Sequence, residues 1–328
     1  MTRAGITHLG AYAPERVLTN HDLEQMMDTS DEWITSRTGI KRRHIAAEDE
    51  FTSDLAFKAV EDLLARHGAD ALAGVDMVIV ATNTPDALFP STAALVQDRF
   101  RLKAAAFDLL AACPGWIYAI GIAKSLVESG QNRRVLAIGS EALTKIVDWT
   151  DRSTAVLFGD GAGAVIVEAV PEPYGIKSVV LGADGSGAPQ LHKRSVGRCL
   201  PNGEPLSESL YMNGREVYKF AVRVMETATI EAIEKAGMTS ADVNLFVPHQ
   251  ANLRIIEAAR ERLRLDRERV VVTVDEYGNN STASIPLAIR NALDAGRIDP
   301  GDNLLLVSFG AGLTWAASVV TWAPPSGS

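Results

Sequence analysis

The sequence predicts an α/β protein built from two related halves. Short buried apolar runs alternate with longer amphipathic ones, and the spacing of elements in the first half recurs in the second. Residues 78–81, 135–138, 164–167, 245–247 and 304–307 are rich in Val, Ile and Leu, and are bounded by Gly, Pro or polar residues. They read as buried strands. Between them lie helical patterns. Residues 53–67 open on the capping residue Ser53 and put Leu55, Ala56, Ala59, Val60, Leu63 and Leu64 on one face, and residues 216–236 behave similarly. This alternation predicts largely parallel sheets.

The duplication rests on intervals. From Thr82 to Cys113 is 31 positions, and from His249 to Asn279 is 30. Cys113 and Asn279 are each followed by an Ala/Ile-rich helical pattern that ends 17 positions on, at Gly130 and Gly296, and then by the runs at 135–138 and 304–307. The two halves are therefore read as residues 1–171, with Cys113, and residues 172–328, with His249 and Asn279, joined near 168–174. A pseudo-twofold axis between them would bring matching strand-to-helix turns together.

Composition narrows the function. With 328 residues, 47% of them hydrophobic and 22% charged, the chain has ordinary globular content. A net charge of −9 argues against nonspecific nucleic-acid binding. Two cysteines, Cys113 and Cys199, make no disulfide framework, which fits a reducing, cytoplasmic setting. The six histidines show no zinc-ligand spacing, so no metal is expected. Residues 1–8 lack the apolar core of a signal peptide, and no apolar stretch is long enough for a membrane span. The Pro/Gly/Ser-rich residues 324–328 are expected to fray.

Three residues could carry chemistry together. Cys113 precedes Pro114, which suits a first helical turn, and a cysteine at a helix N-terminus should have a lowered pKa. The alternative is a small buried core residue. His249, in Pro248-His249-Gln250, stands where a strand ends and a helix starts. Asn279, after Gly278, would equally suit a turn. On matching turns the three make a Cys/His/Asn set of the acyl-transfer type. The glycine-rich residues 158–164 lack dinucleotide-binding spacing and run into a strand. Residues 308–312 could offer backbone N–H groups to an oxyanion, or form a plain tight turn.

These residues resemble the β-ketoacyl-acyl-carrier-protein synthase III family over nearly the whole chain. The likeness lies in Thr29-Ser30-Asp31-Glu32-Trp33-Ile34, Arg37-Thr38-Gly39-Ile40, Arg43-His44-Ile45-Ala46, the Cys113 segment, and residues 158–164, 247–256, 278–286 and 309–315. The resemblance implies a thiolase-like duplicated fold, a five-layer α-β-α-β-α sandwich, and a homodimer. It implies a decarboxylating Claisen condensation of an acyl-CoA primer, acetyl-CoA or a short branched acyl-CoA, with malonyl-acyl-carrier protein. That reaction starts type II fatty acid synthesis and uses no cofactor beyond the coenzyme A thioester substrate. By the family pattern Cys113 takes the acyl group, His249 and Asn279 polarise the malonyl thioester, and the backbone N–H groups of Cys113 and Ala311 form a second oxyanion hole. Trp33 and Arg152 match positions that sandwich the adenine of coenzyme A, and Arg37 one near its phosphates. Phe89 matches an acyl-pocket residue that crosses a dimer interface, and Arg254 a docking position for acidic acyl-carrier protein within the arginine-rich stretch 254–269. Two positions depart from the pattern: Ala311 stands where glycine is frequent and Asn280 where threonine is common. A ketosynthase III-like acyltransferase or a condensing enzyme of secondary metabolism is the alternative with the same triad. A silent scaffold is disfavoured by the presence of all three residues.

Overall fold

The computed structural model describes residues 3–324, so the expected fraying of residues 325–328 lies outside the described residues. The chain begins with β1 (Arg3–Tyr12), β2 (Val17–Thr19), α1 (Asn20–Glu24), α2 (Asp31–Thr38) and β3 (Arg42–His44). It continues through α3 (Thr52–His67), β4 (Met77–Ala81), α4 (Thr92–Arg99), β5 (Ala105–Leu109), α5 (Gly115–Glu128), β6 (Arg134–Glu141) and β7 (Gly161–Val170). Next come β8 (Gly175–Ala183), the short pair β9 (Leu191–His192) and β10 (Tyr211–Met212), and α6 (Gly214–Lys235). β11 (Leu245–Pro248), α7 (Leu253–Arg262), α8 (Val274–Tyr277), α9 (Ser284–Asp294), β12 (Asn303–Gly310) and β13 (Thr314–Thr321) complete it.

Two sheets carry the fold. The first runs β1-β7-β6-β4-β5 and the second β11-β12-β13-β8. A lone parallel bridge from Phe246 to Val270 extends the second sheet where β5 flanks β4 in the first. The matching order is the physical form of the repeated intervals. All five strands read from the sequence are present.

The expectation of largely parallel sheets is corrected. β4 pairs in parallel with β5 and β6, and β11 with β12, but β6–β7, β1–β7, β12–β13 and β13–β8 are antiparallel. The closing strand of each repeat folds back on its predecessor rather than crossing over through a helix. The N-cap of α3 is also corrected. The helix starts at Thr52, and the Asp54 carboxylate accepts the Phe51 N–H at 2.9 Å; Ser53 instead donates its N–H to Asp86.

Strand alternation builds the layers. Val78, Val80, Leu136 and Ile138 face α3 and α4, while Ile79, Ala81, Val135 and Ala137 face the central helices α5 and α9. In the second sheet Leu304 and Leu306 face that same central layer, and Leu305 and Val307 face α6. The result is the five-layer α-β-α-β-α sandwich.

The excursion from β2 to β3 docks on the second half. Ile34 and Ile40 enter the α6–α7 core, and the fully buried Arg43 guanidinium donates to Leu18 O, Asn20 Oδ1 and Val156 O at 3.2, 2.8 and 2.7 Å. Ser30 caps α2 by accepting the Trp33 N–H at 3.1 Å, which fixes the helix that carries Trp33 and Arg37.

Candidate active site

Cys113 is half-buried in the turn from β5 to α5, one residue ahead of Pro114, the N-cap of α5. Its predecessor Ala112 has φ of 54°, a left-handed conformation that costs a non-glycine residue about 1–3 kcal/mol. Surrounding structure holds it there. The end of β12 lies so close that a Cβ on Gly310 would stand 2.7 Å from Cys113 N. The Thr314 hydroxyl bonds Ala111 O at 3.0 Å and Ala311 O at 2.8 Å, stitching the Ala311 turn to the Cys113 turn. Ser308 and Phe309 belong to β12 rather than to that turn.

The expected lowering of the Cys113 pKa is overturned for the ligand-free site. Burial pushes the thiol up to about 12, and the neighbouring Glu141 carboxylate adds to the shift, while a hydrogen bond from the Ser281 side chain works against it. Desolvation of a thiolate outweighs the helix N-terminus here.

His249 follows β11 directly and is buried. Its backbone N–H donates to Val307 O at 2.8 Å, and its ring meets Phe309 edge-on with centroids 5.5 Å apart. Nδ1 lies 2.7 Å from Ser284 Oγ, while Nε2 has no partner among the described residues. A hydroxyl donating to Nδ1 leaves the ring proton on Nε2. Burial lowers the pKa to about 3, so the imidazole is neutral at physiological pH.

Asn279 lies between α8 and α9, and its Oδ1 accepts the Ser281 N–H at 2.9 Å. That bond orients the amide, and Nδ2 makes no hydrogen bond among the described residues. Residues 279–284 lie over the first sheet: a Cβ on Gly139 of β6 would stand 2.5 Å from Thr282 O. Asn280 Nδ2 donates to Asp160 O and Tyr277 O, both at 3.2 Å, so this departure from the family pattern serves the loop's backbone.

Cys113, His249, Asn279 and Ala311 thus share two supports, the segment 279–284 and the end of β12. The sequence reading missed Ser281, Ser284, Glu141 and Asn83. A signal existed for Glu141: it is a charged residue closing a buried apolar run.

Trp33, Arg37 and Arg152 form a separate cluster. The Arg152 guanidinium carbon lies 4.9 Å from the Trp33 ring centroid and that of Arg37 at 5.1 Å. Arg152 also donates to Asp28 O at 2.8 Å. Two van der Waals spacings, about 7 Å, are needed to hold an aromatic ring between two planes, so the pair is closed here. Phe89 is 85% exposed beside Leu88 at 70%. Arg254 has no ion pair among the described residues and lies 6.0 Å from the Tyr218 ring centroid. Its neighbours Arg260, Arg262 and Arg267 pair with Glu257, Glu226 and Glu257. Cys199 is an exposed free thiol.

Residues 107–185 match the family model described as 3-oxoacyl-[acyl-carrier-protein (ACP)] synthase III, and residues 233–322 match its C-terminal model. The beta-ketoacyl-[acyl-carrier-protein] synthase III of Deinococcus deserti is 53% identical, covering 97% of this chain and 91% of its own. This chain belongs to the 3-oxoacyl-[acyl-carrier-protein] synthase III family. The crystal structure of the Thermus thermophilus member is 70% identical with a TM-score of 0.96, covering 97% of this chain and 99% of that one. The Symbiobacterium thermophilum member is 52% identical over 97% of this chain and 98% of its own. The chain is accordingly a condensing enzyme with the thiolase-like fold, an acyltransferase that initiates fatty acid synthesis, and the secondary-metabolism alternative is not favoured. Among the described residues no helix is long and apolar enough to cross a membrane.

Proposed function

We propose that this synthase III condenses an acyl-CoA primer with malonyl-acyl-carrier protein by a ping-pong route through an acyl-Cys113 thioester. The observation that carries this reading is the pair of side-chain nitrogens left open, His249 Nε2 and Asn279 Nδ2, each oriented by a hydrogen bond on its far side. Cys113 attacks the primer and coenzyme A leaves. Loss of carbon dioxide from the malonyl group then moves an electron pair onto the thioester oxygen. Two neutral donors aimed at that oxygen stabilise the enolate-like transition state more than the ground state. The carbanion attacks the acyl-Cys113 carbonyl, whose oxyanion meets the Cys113 and Ala311 N–H groups. Collapse releases the thiol and the 3-oxoacyl product.

In this reading Trp33 and Arg152 part to take the adenine, and Arg37 faces the phosphates. Arg254, which has no ion pair among the described residues, meets the acidic carrier protein. Residues 1–171 and 172–328 are the two repeats, in a cytoplasmic homodimer. β5 is the edge of its sheet, with exposed Phe107 within it and Leu110, 78% exposed, just beyond. The segment after Phe89 is tied to β5 because Thr92 and Ala93 donate their N–H groups to Asp108. An apolar edge strand of this kind fits a second copy of the chain.

Intact mass and peptide mapping after incubation with a panel of acyl-CoAs test the reading. One acyl group on the Cys113 peptide is expected, and none on Cys113→Ser. No adduct from any acyl-CoA would overturn it. Sedimentation tests the dimer, with Phe89→Asp expected to shift it toward monomer.

A further inference from the structure

Gln250 follows His249 in the chain and is buried, and no step above uses it. The end of β11 explains its role. The His249 N–H donates to Val307 O of β12 at 2.8 Å, so Pro248 turns its backbone N and O the other way, toward residues 270–273. On that side the Val271 N–H donates to Phe246 O at 2.9 Å, beside the parallel bridge from Phe246 to Val270. A parallel ladder would next join the N–H of residue 248 to Val271 O, and the Thr273 N–H to the carbonyl of residue 248. Proline has no N–H to give. The Gln250 side chain replaces the missing rung. Its Nε2 donates to Pro248 O at 2.8 Å and to Val271 O at 3.1 Å. Its Oε1 accepts the Thr273 N–H at 2.8 Å and the Val274 N–H at 3.1 Å. Two donors and two lone pairs are the whole capacity of a primary amide, and all are used.

These bonds join the segments that carry His249 and Asn279. Pro248 leads directly into His249. Thr273 and Val274 open α8, a single turn in which the Tyr277 N–H donates to Thr273 O and the Gly278 N–H to Val274 O, both at 3.0 Å. Asn279 comes next. Its own backbone bonds run to residues 157–159, where its N–H donates to Leu157 O at 2.9 Å and its carbonyl accepts the Gly159 N–H at 3.0 Å. Ser284 orients the His249 ring, whereas Gln250 ties the backbone before His249 to the turn before Asn279. We propose that Gln250 is a positioning residue for decarboxylation, its amide setting the separation of His249 Nε2 and Asn279 Nδ2 so that both meet one thioester oxygen. This rests on those two nitrogens being the donors to the malonyl thioester. Without the amide, two carbonyls and two N–H groups lose their partners in a buried place, and the α8 turn shifts against β11. The Cys113 turn takes none of these bonds, since Gly310 and Thr314 hold it, so acylation lies outside the reach of Gln250.

The test compares wild type, Gln250→Met, Gln250→Glu and His249→Ala in the two half-reactions, with circular dichroism to confirm folding. Single-turnover acylation of Cys113 by acetyl-CoA or a short branched acyl-CoA is followed by mass. Carbon dioxide release from malonyl-acyl-carrier protein by the preformed acyl-enzyme is followed over a range of carrier-protein concentrations. Gln250→Met, similar in length but without the amide, is expected to acylate at the wild-type rate. It is expected to release carbon dioxide about 10²-fold more slowly, the scale of a 1 Å misplacement, with the loss in kcat rather than KM. Gln250→Glu keeps an acceptor for the Thr273 and Val274 N–H groups but loses the two donors. It is expected to fall between Gln250→Met and wild type, and it decides the matter should Gln250→Met fail to fold. Wild-type carbon dioxide release in either folded Gln250 variant overturns the proposal. So does equal slowing of both half-reactions, which a merely structural role would give. Wild-type release in His249→Ala would instead sink the assignment of the donors.

Discussion

Ser284 Oγ stands 2.7 Å from His249 Nδ1, at the first residue of central helix α9. A helix held on both faces by sheets thereby orients a buried imidazole. Ser284→Ala should leave Cys113 acylation intact and slow malonyl decarboxylation about 10- to 100-fold, by analogy with the loss of a partner that orients a metal-binding histidine. Separate assays of the two half-reactions check this. Equal slowing of both would mean that Ser284 supports the whole pocket.

The buried neutral His249 also predicts an acid liability. Its folded pKa, about 3, lies below the ordinary 6.5, so the unfolded chain binds more protons between those values. Stability from this group is complete above pH 6.5 and is lost as pH falls toward 3. His249→Gln should flatten the decline of unfolding free energy over that window, by up to about 1.4 kcal/mol per pH unit. Urea titrations at pH 4, 5 and 7 measure the slope, and parallel slopes for variant and wild type would contradict it.

The closed Trp33–Arg152 pair predicts unequal effects. Trp33→Ala removes the stacking face and should raise KM for acyl-CoA about 10-fold or more, since base–aromatic stacking contributes about 1–3 kcal/mol. Arg152→Ala removes the same contact but also the guanidinium that must move aside, so its KM should rise less. Steady-state kinetics with saturating malonyl-acyl-carrier protein distinguish the two.

Gly310 faces the backbone of the Cys113 turn, where an added Cβ would stand 2.7 Å from Cys113 N. Gly310→Ala should destabilise the fold by about 1–3 kcal/mol and slow acylation about 100-fold by displacing the sulfur. A thermal melt and the single-turnover acylation assay check both effects.

Much of this was legible in advance. The five buried strands follow from apolar runs, and the matching strand order of the two sheets from equal intervals, because strand burial writes itself into composition. The supporting polar residues were not legible. Ser281, Ser284 and Asn83 look like ordinary turn chemistry, and only tertiary contacts between distant segments give them partners. The Cys113 pKa failed for a related reason. The helix N-terminus is visible in the sequence, whereas the burial of the Cys113 turn and the carboxylate of Glu141, 28 positions away, are not. Antiparallel closure was hidden at β6–β7, where the connection 142–160 is long enough for a crossover, whereas the three residues between β12 and β13 permit only a fold-back.

The packing of Gly310 and Thr314 against the Cys113 turn limits which changes of length the chain tolerates. Cys113 follows a strand of the first sheet, and the residues that hold its turn lie at the end of β12 and the start of β13 in the second. An insertion that shifted one sheet against the other by a single residue would displace the sulfur while leaving both sheets whole. Insertions are therefore far better placed in the connections, such as the excursion that carries Trp33, than in the register between the two sheets.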